Sequence, residues 1–213
     1  MRAGPRIVLA STSIRRKEIL ALLGIPFKSV DPDFEEHWNP AYSAKEDAIS
    51  FATGKAESVK PAFPDSIVIG SDTLIEDANG KIGKPSGPED AKKILHRLQG
   101  GQHHIWTAIS LIDTRDQTTE ISVERIDIQM CRIDQDEIDH YVATEEALDK
   151  AGAYSIQGKG RQFIQRLQGD YLAAVGLPLR SIADFLRHRD IPFTLDIEGL
   201  YREKSFLNWK EFS

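Results

Sequence analysis

The sequence predicts an α/β protein built on a mixed, twisted β-sheet flanked by helices. Three observations carry this expectation. Arg6–Ala10 and Ile67–Gly70 are short, largely apolar runs of the kind that form strands buried inside α/β sheets. Helical patterns that open on capping signals separate and follow them. In the second half two long strand candidates succeed one another without an intervening helix, so the sheet is expected to be mixed and not purely parallel.

Taken in order, Arg6–Ala10 is the first strand. Ser13 can cap a helix whose apolar face carries Ile19, Leu20 and Leu23, and Gly24 ends it. Pro26–Val30 is extended, and the polar, proline-containing segment Asp31–Tyr42 is a loop. Ser43 and Glu46 form a capping box before a helix over Ala44–Val59. Ile67–Gly70 is the next strand, stopping short of Asp72, and Asn79-Gly80 signals a hairpin between Leu74–Glu76 and Lys81–Gly83. Ser86 and Glu89 form a second box before a helix carrying Ala91, Ile94, Leu95 and Leu98, closed by Gly100-Gly101. His104–Ile112 and Thr119–Ile133 are long strands joined by a turn at Arg115–Gln117. Asp134 and Glu137 open a capped helix reaching about Thr144, a glycine-rich stretch spans Gly152–Gly160, a short strand lies near Phe163–Leu167, and Pro178–Arg187 is the last core helix. There is no internal repeat and no clear linker. The expected domain covers residues 1–190, with 191–213 as a C-terminal extension.

Composition narrows the function classes. The 213 residues are 40% hydrophobic and 28% charged, typical of a soluble globular chain, and no apolar run approaches the length of a membrane helix. The basic start MRAGPR is not followed by a signal-peptide core. Cys131 is the single cysteine, so no internal disulfide exists, which fits a cytoplasmic, reducing setting. A net charge of -6 and the lack of a basic stripe argue against nucleic-acid binding but leave room for a local anion pocket. Neither G-x-S-x-G nor G-x-G-x-x-G occurs, the six histidines follow no zinc spacing, and Cys131 sits in a strand-like run without a His–Asp pattern.

Several stretches could carry chemistry. In LASTSIRRKEIL a strand ends and a helix begins, and helix N-termini attract phosphate. Ser11 and Ser13 would add hydroxyls there. Arg15 and Arg16 lie in the first helical turn, against the helix dipole, so they are either solvated surface arginines or cations awaiting an anion. Asp72 follows an apolar strand, where an aspartate serves as a turn residue or holds a metal and activates water. Lys55 shares a helical face with Ala48, Ala52 and Val59, and snorkelling to water is the usual fate of such a lysine. Lys84 sits in IGKPSG, which lacks the flanking residues of a P-loop. Glu35 and Glu36 in DFEEHW are solvated unless Asp72 is close, since carboxylates from separate segments make a hard-cation site. In DKAGAYSIQGKG small residues would let backbone approach a flat ligand, and the Gln157 amide complements the O4 and N3–H edge of uracil or thymine; a plain turn explains the same stretch.

In this order the segments resemble the Maf family of nucleoside triphosphate pyrophosphatases. The resemblance rests on LAS-x-S-x-RR-x-E-I-L, Glu35-Glu36, Lys55-Ala56, G-x-DT ending at Thr73, GKP at Gly83–Pro85, DKAGAY-x-IQG and GLP at Gly176–Pro178. It implies a fold similar to inosine triphosphate pyrophosphatases, with two lobes around a deep cleft. It implies hydrolysis of the α–β anhydride of a nucleotide to monophosphate and pyrophosphate, with magnesium or manganese as cofactor. By matched position, Asp72 is the catalytic acid, also holding the metal, and Glu36 a metal-holding or water-positioning carboxylate. Ser11, Arg15, Arg16, Lys55 and Lys84 are the phosphate-binding set. Arg15, Thr73 and Gln157 are the specificity set, of the kind carried by the dTTP/UTP branch. A homodimer and a cytoplasmic enzyme are implied too. The family is also linked by name to inhibition of septum formation, so a nucleotide-sensing regulator of cell division without useful turnover is the alternative. A Nudix hydrolase is disfavoured by the lack of its glycine-led R-E-x-x-E-E box.

The sequence departs from the family pattern at Ile14, where proline is usual and would pre-set the first helical turn. It departs again at Ser71 and at Ser155, the latter strained if its φ must be positive. The tail LYREKSFLNWKEF runs beyond the family's expected end, and its apolar residues need a surface to cover them, on this chain or on a partner subunit.

Overall fold

A computed structural model describes residues 5–212. Most of the basic start MRAGPR, and Ser213 at the end of the extension, lie outside the described residues. One seven-stranded sheet organises the chain, with strand order β2-β1-β3-β5-β6-β7 and β4 paired to β3. The strands are β1 (Arg6–Ala10), β2 (Phe27–Val30), β3 (Ser66–Asp77), β4 (Gly80–Ile82), β5 (Gln102–Asp113), β6 (Thr118–Met130) and β7 (Ile164–Gln168). β1 runs parallel to β2 and β3, and every other pairing is antiparallel, so the sheet is mixed as the sequence predicts.

Two helices position the site. α1 (Ile14–Ala21) follows β1 directly, and the Ser13 side chain accepts from the Arg16 N–H as its cap. Ile14 takes the first helical position and is 69% exposed, so the helix starts there without proline. α2 (Ala44–Val59) opens on the expected capping box, with the Ser43 side chain bonded to the Glu46 backbone and Glu46 bonded back to Ser43. Its buried face carries Ala48, Phe51, Ala52, Lys55, Ala56 and Val59 and packs on β3 and β5. That packing depends on Gly70. A Cβ there would overlap the Ala52 carbonyl oxygen and press on Ala56, so only glycine lets α2 lie this close to β3.

α3 (Pro88–Leu98), α4 (Gln135–Val142), α5 (Tyr171–Val175), α6 (Leu179–Arg187) and α7 (Ile197–Glu203) complete the helices, and the main core includes Leu95, Ile138, Leu172, Ile182 and Ile197. Several expectations need correction. The Ser86–Glu89 box does not form: Gly87 is the N-cap, Pro88 takes the first helical position, and Ser86 bonds to Asp90 instead. The strand expected over Thr119–Ile133 ends at Met130. The five-residue α5, held by the Asp170 side chain, is too short to show a period in sequence. The tail covers its own chain. Trp209, 6% exposed, stacks on Tyr171 at 5.3 Å with the rings 14° apart, and Ile197 and Leu200 join the main core.

Candidate active site

The site sits at a break in one edge of β3. β5 pairs with β3 along residues 67–76, occupying one edge throughout. On the other edge β1 pairs as far as Ala10↔Gly70, and β4 begins at Ile75↔Ile82. Residues 71–74 therefore have no strand beside them on that edge, and Asp72 and Thr73 lie in this gap. Asp72 was expected at a strand terminus; it lies within a strand of twelve residues, and it is the neighbour β1 that ends. The reason is that β3 has two successive partners on one edge, a feature no local pattern records.

A cleft of about 1040 Å³ opens here. Its walls include all nine residues to which the family resemblance gives a role: Ser11, Arg15, Arg16, Glu36, Lys55, Asp72, Thr73, Lys84 and Gln157. Alternation along β3 puts Asp72 on the face that α2 covers, with Gly70 and Leu74. Lys55 meets it there, its Nζ 2.5 Å from Asp72 Oδ1 and 2.5 Å from Glu36 Oε1. Lys55 is 8% exposed and ion-paired, so it does not snorkel to water. Glu36 arrives on the loop before α2, whose Phe34 docks against Gly54 and lies 6.1 Å from Phe51. The two acids of that loop part company: Glu36 turns inward, and Glu35 bonds to exposed His37.

The cations expected to bind phosphate divide into anchored and free ones. Arg16 donates through Nε to the Gly176 carbonyl at 2.9 Å and through Nη2 to Thr73 Oγ1 at 3.3 Å, which ties GLP to α1 and β3. Burial lowers the Arg16 pKa, opposed by the charges of Asp72 and Glu36, and the guanidinium remains charged. Arg15 is exposed at the cleft edge and pairs with Glu18 at 2.9 Å. Lys84 is exposed, makes no ion pair among the described residues, and its charge reaches Glu36. Ser11 is buried, its Oγ accepting from the Ser13 N–H at the start of α1.

The two carboxylates are driven apart in acidity. Burial raises the Asp72 pKa; Lys55 and Arg16 oppose this without cancelling it, and Glu36 adds to it. Burial also works against ionised Glu36, but there the Lys55 hydrogen bond and the charges of Lys55, Lys84 and Arg16 prevail, and its pKa falls below the ordinary value. Asp72 Oδ2 is buried without a hydrogen-bond partner. An orphaned carboxylate oxygen beside a second carboxylate fits a hard divalent cation, and magnesium characteristically takes one or two carboxylates plus substrate phosphates. Among the described residues no cluster of three His, Cys, Asp or Glu could hold a metal alone, so phosphate oxygens would complete such a shell.

Gln157 lies further along the cleft, with Tyr154, Ser155 and Ile156. Its Nε2 is buried and unpartnered, while the side chain lies close enough to Tyr171 to ease ionisation of that hydroxyl; burial prevails and pushes the Tyr171 pKa up to about 12. Ser155 has no positive φ; the left-handed positions of this stretch are Gly152 at 75° and Ala153 at 57°. Sequence reasoning missed Ser71, Thr107 and His103. Ser71 Oγ donates to the Gly176 carbonyl at 2.9 Å, Thr107 Oγ1 donates to the Ala173 carbonyl at 2.8 Å, and His103 Nε2 shares a 2.7 Å hydrogen bond with the Tyr154 hydroxyl. Each acts through a residue far away in the chain, so local sequence carried no signal for it. Among the described residues no helix is long and apolar enough to cross a membrane.

The profile of a family described as Maf-like protein matches residues 6–189. A protein of Bacillus cereus named dTTP/UTP pyrophosphatase is 41% identical over 190 residues, covering 89% of this chain and 98% of the relative. Proteins of the same name from Bacillus anthracis and Bacillus thuringiensis subsp. konkukian are also 41% identical with the same coverage. The chain belongs to the Maf-like protein family.

Proposed function

We propose that this chain hydrolyses the α–β phosphoanhydride of dTTP and UTP, modified pyrimidine forms included, to nucleoside monophosphate and pyrophosphate. The observation that carries the reading is the Glu36–Lys55–Asp72 cluster, set in the same cleft as Arg15, Arg16, Lys84 and Gln157. The names of the relatives support the same reaction.

Glu36 and Asp72 would hold the divalent cation, magnesium or manganese, which when bound neutralises phosphate charge and acidifies water. Asp72 takes the proton of the attacking water as the new O–P bond forms and the pyrophosphate oxygen departs. Glu36 stays anionic. Lys55, Lys84 and Arg15 meet the phosphates, while Arg16, held by Gly176 and Thr73, contributes a fixed positive charge beside them. Ser11 and the α1 N-terminus offer further donors. The Gln157 amide reads the pyrimidine edge, with Thr73 and Arg15 bounding the pocket. The domain over residues 1–190 carries this machinery and 191–213 extend it. The reading also includes a homodimer, checked by sedimentation, and a cytoplasmic enzyme without nucleic-acid partners.

The test is a panel of canonical and modified nucleoside triphosphates, assayed for pyrophosphate release with magnesium and with manganese. Monophosphate and pyrophosphate from UTP and dTTP, faster than from purine nucleotides and abolished by chelation, is the expected result. Binding without release would favour the regulatory alternative. Release of orthophosphate would place the cleavage at another bond.

A further inference from the structure

The segment after residue 189 lies outside the family profile, and it bonds to Ile156, a residue of the cleft wall. Asn208 Nδ2 donates to the Ile156 carbonyl at 2.9 Å, and Asn208 Oδ1 accepts from the Tyr171 hydroxyl at 2.5 Å. Trp209 locks this contact in place by stacking on Tyr171 and meeting Tyr201 edge-on at 5.0 Å. Arg161 fastens the chain just beyond, donating to the Glu211 carbonyl at 2.6 Å and covering the Phe212 ring.

The stretch around Gln157 is tied down on both sides of these two residues. Ser155 N–H donates to the Tyr141 hydroxyl, and Glu146 accepts from the Lys159 and Gly160 N–H groups. Between those ties, Asn208 makes the only side-chain hydrogen bond to the backbone of residues 156 and 157 among the described residues. The peptide bond it holds is the one that joins Ile156 to Gln157. A hydrogen bond there fixes the direction from which the Gln157 side chain leaves the backbone. Tyr171, which Asn208 engages with its other atom, is also the neighbour of the Gln157 amide.

We infer that Asn208 is a positioning residue for nucleobase discrimination: the C-terminal extension stands behind the Ile156–Gln157 stretch of the cleft wall and sets the aim of Gln157. This rests on the reading of Gln157 as the base-reading residue. Two variants separate the roles of Asn208. Asn208→Ala removes both bonds. Asn208→Asp keeps the acceptor for Tyr171 but loses the donor to Ile156, and turns an oxygen toward that carbonyl. Tyr171→Phe keeps the ring that Trp209 stacks on and frees Asn208 from its second partner, which serves if the first two variants fold poorly.

The experiment measures kcat and KM for UTP and GTP in the full chain, with Gln157→Glu as reference and thermal unfolding as a control. Loss of one such hydrogen bond should lower kcat/KM for UTP about tenfold, mainly through KM, and GTP should change less. Both Asn208 variants should therefore lower the UTP to GTP ratio, and Tyr171→Phe should shift it the same way by a smaller factor. If Gln157→Glu alters the ratio and the Asn208 variants do not, the inference is overturned while the base-reading role stands. If neither alters it, both fall together. Equal losses for UTP and GTP that follow a lowered unfolding temperature would make the tail merely structural and overturn the inference as well.

Discussion

Lys55 Nζ lies 2.5 Å from Asp72 Oδ1, and both side chains are nearly buried. The pair joins the last turns of α2 to the middle of β3, and the same ammonium reaches Glu36. One cation therefore balances two carboxylates whose ionisation burial opposes. Asp72 keeps one oxygen free of any partner, the arrangement expected of a carboxylate that must accept something at the site.

Asp72→Asn tests that assignment directly. The amide nearly matches the carboxylate in shape but cannot take a proton from water. Turnover should fall by about 10² or more, and nucleotide affinity, measured calorimetrically, should be largely kept. Near-normal pyrophosphate release from the variant would remove Asp72 from the role of base.

Lys55→Met should cost stability as well as activity. Removing one partner from a buried pair leaves the other charge uncompensated, a loss of about 3–5 kcal/mol at neutral pH. Urea unfolding of the single variant and of Lys55→Met combined with Asp72→Asn checks the cause. The double variant should recover much of the loss, because the buried charge is gone. Simple additivity would mean that Lys55 stabilises by packing and not by charge.

Gly70→Ala should destabilise through overlap. Its Cβ would meet the Ala52 carbonyl, which is backbone and cannot swing away, so α2 must shift. A cost of about 1–3 kcal/mol is expected, with reduced turnover because Lys55 moves away from Asp72. An unchanged melting temperature would contradict the close packing of α2 on β3.

His103 should make the protein sensitive to acid. It is buried beneath the cleft, bonded to the Tyr154 hydroxyl, and burial, helped by neighbouring His104 and opposed by Asp77, lowers its pKa to about 4. Because the folded state holds the proton less tightly than the unfolded one, the contribution to stability is complete above about pH 6.5. It is lost progressively as the pH falls toward 4, amounting to roughly 3 kcal/mol across that window. Denaturant unfolding of wild type and His103→Gln at pH 7.5 and pH 4 should show a smaller pH dependence in the variant. Parallel profiles would relieve His103 of that role.

What the sequence by itself determined was local. The capping boxes at Ser43 and Asp134, the Asn79-Gly80 hairpin, β1 and the start of β3 are read within a few residues, because caps, turns and alternation are short-range physics. The candidate site residues were singled out for a different reason. Their motifs matched a known family, which supplied a grouping that spacing alone leaves open. Only the tertiary structure decided which of those residues face one another. The gap between β1 and β4 on one edge of β3, the inward turn of Glu36 over Glu35, the anchoring of Arg16 by Gly176 and the reach of Asn208 to Ile156 all join segments distant in the chain. Sheet-edge sharing and long-range hydrogen bonds arise from packing the whole chain at once, and no window of sequence contains them.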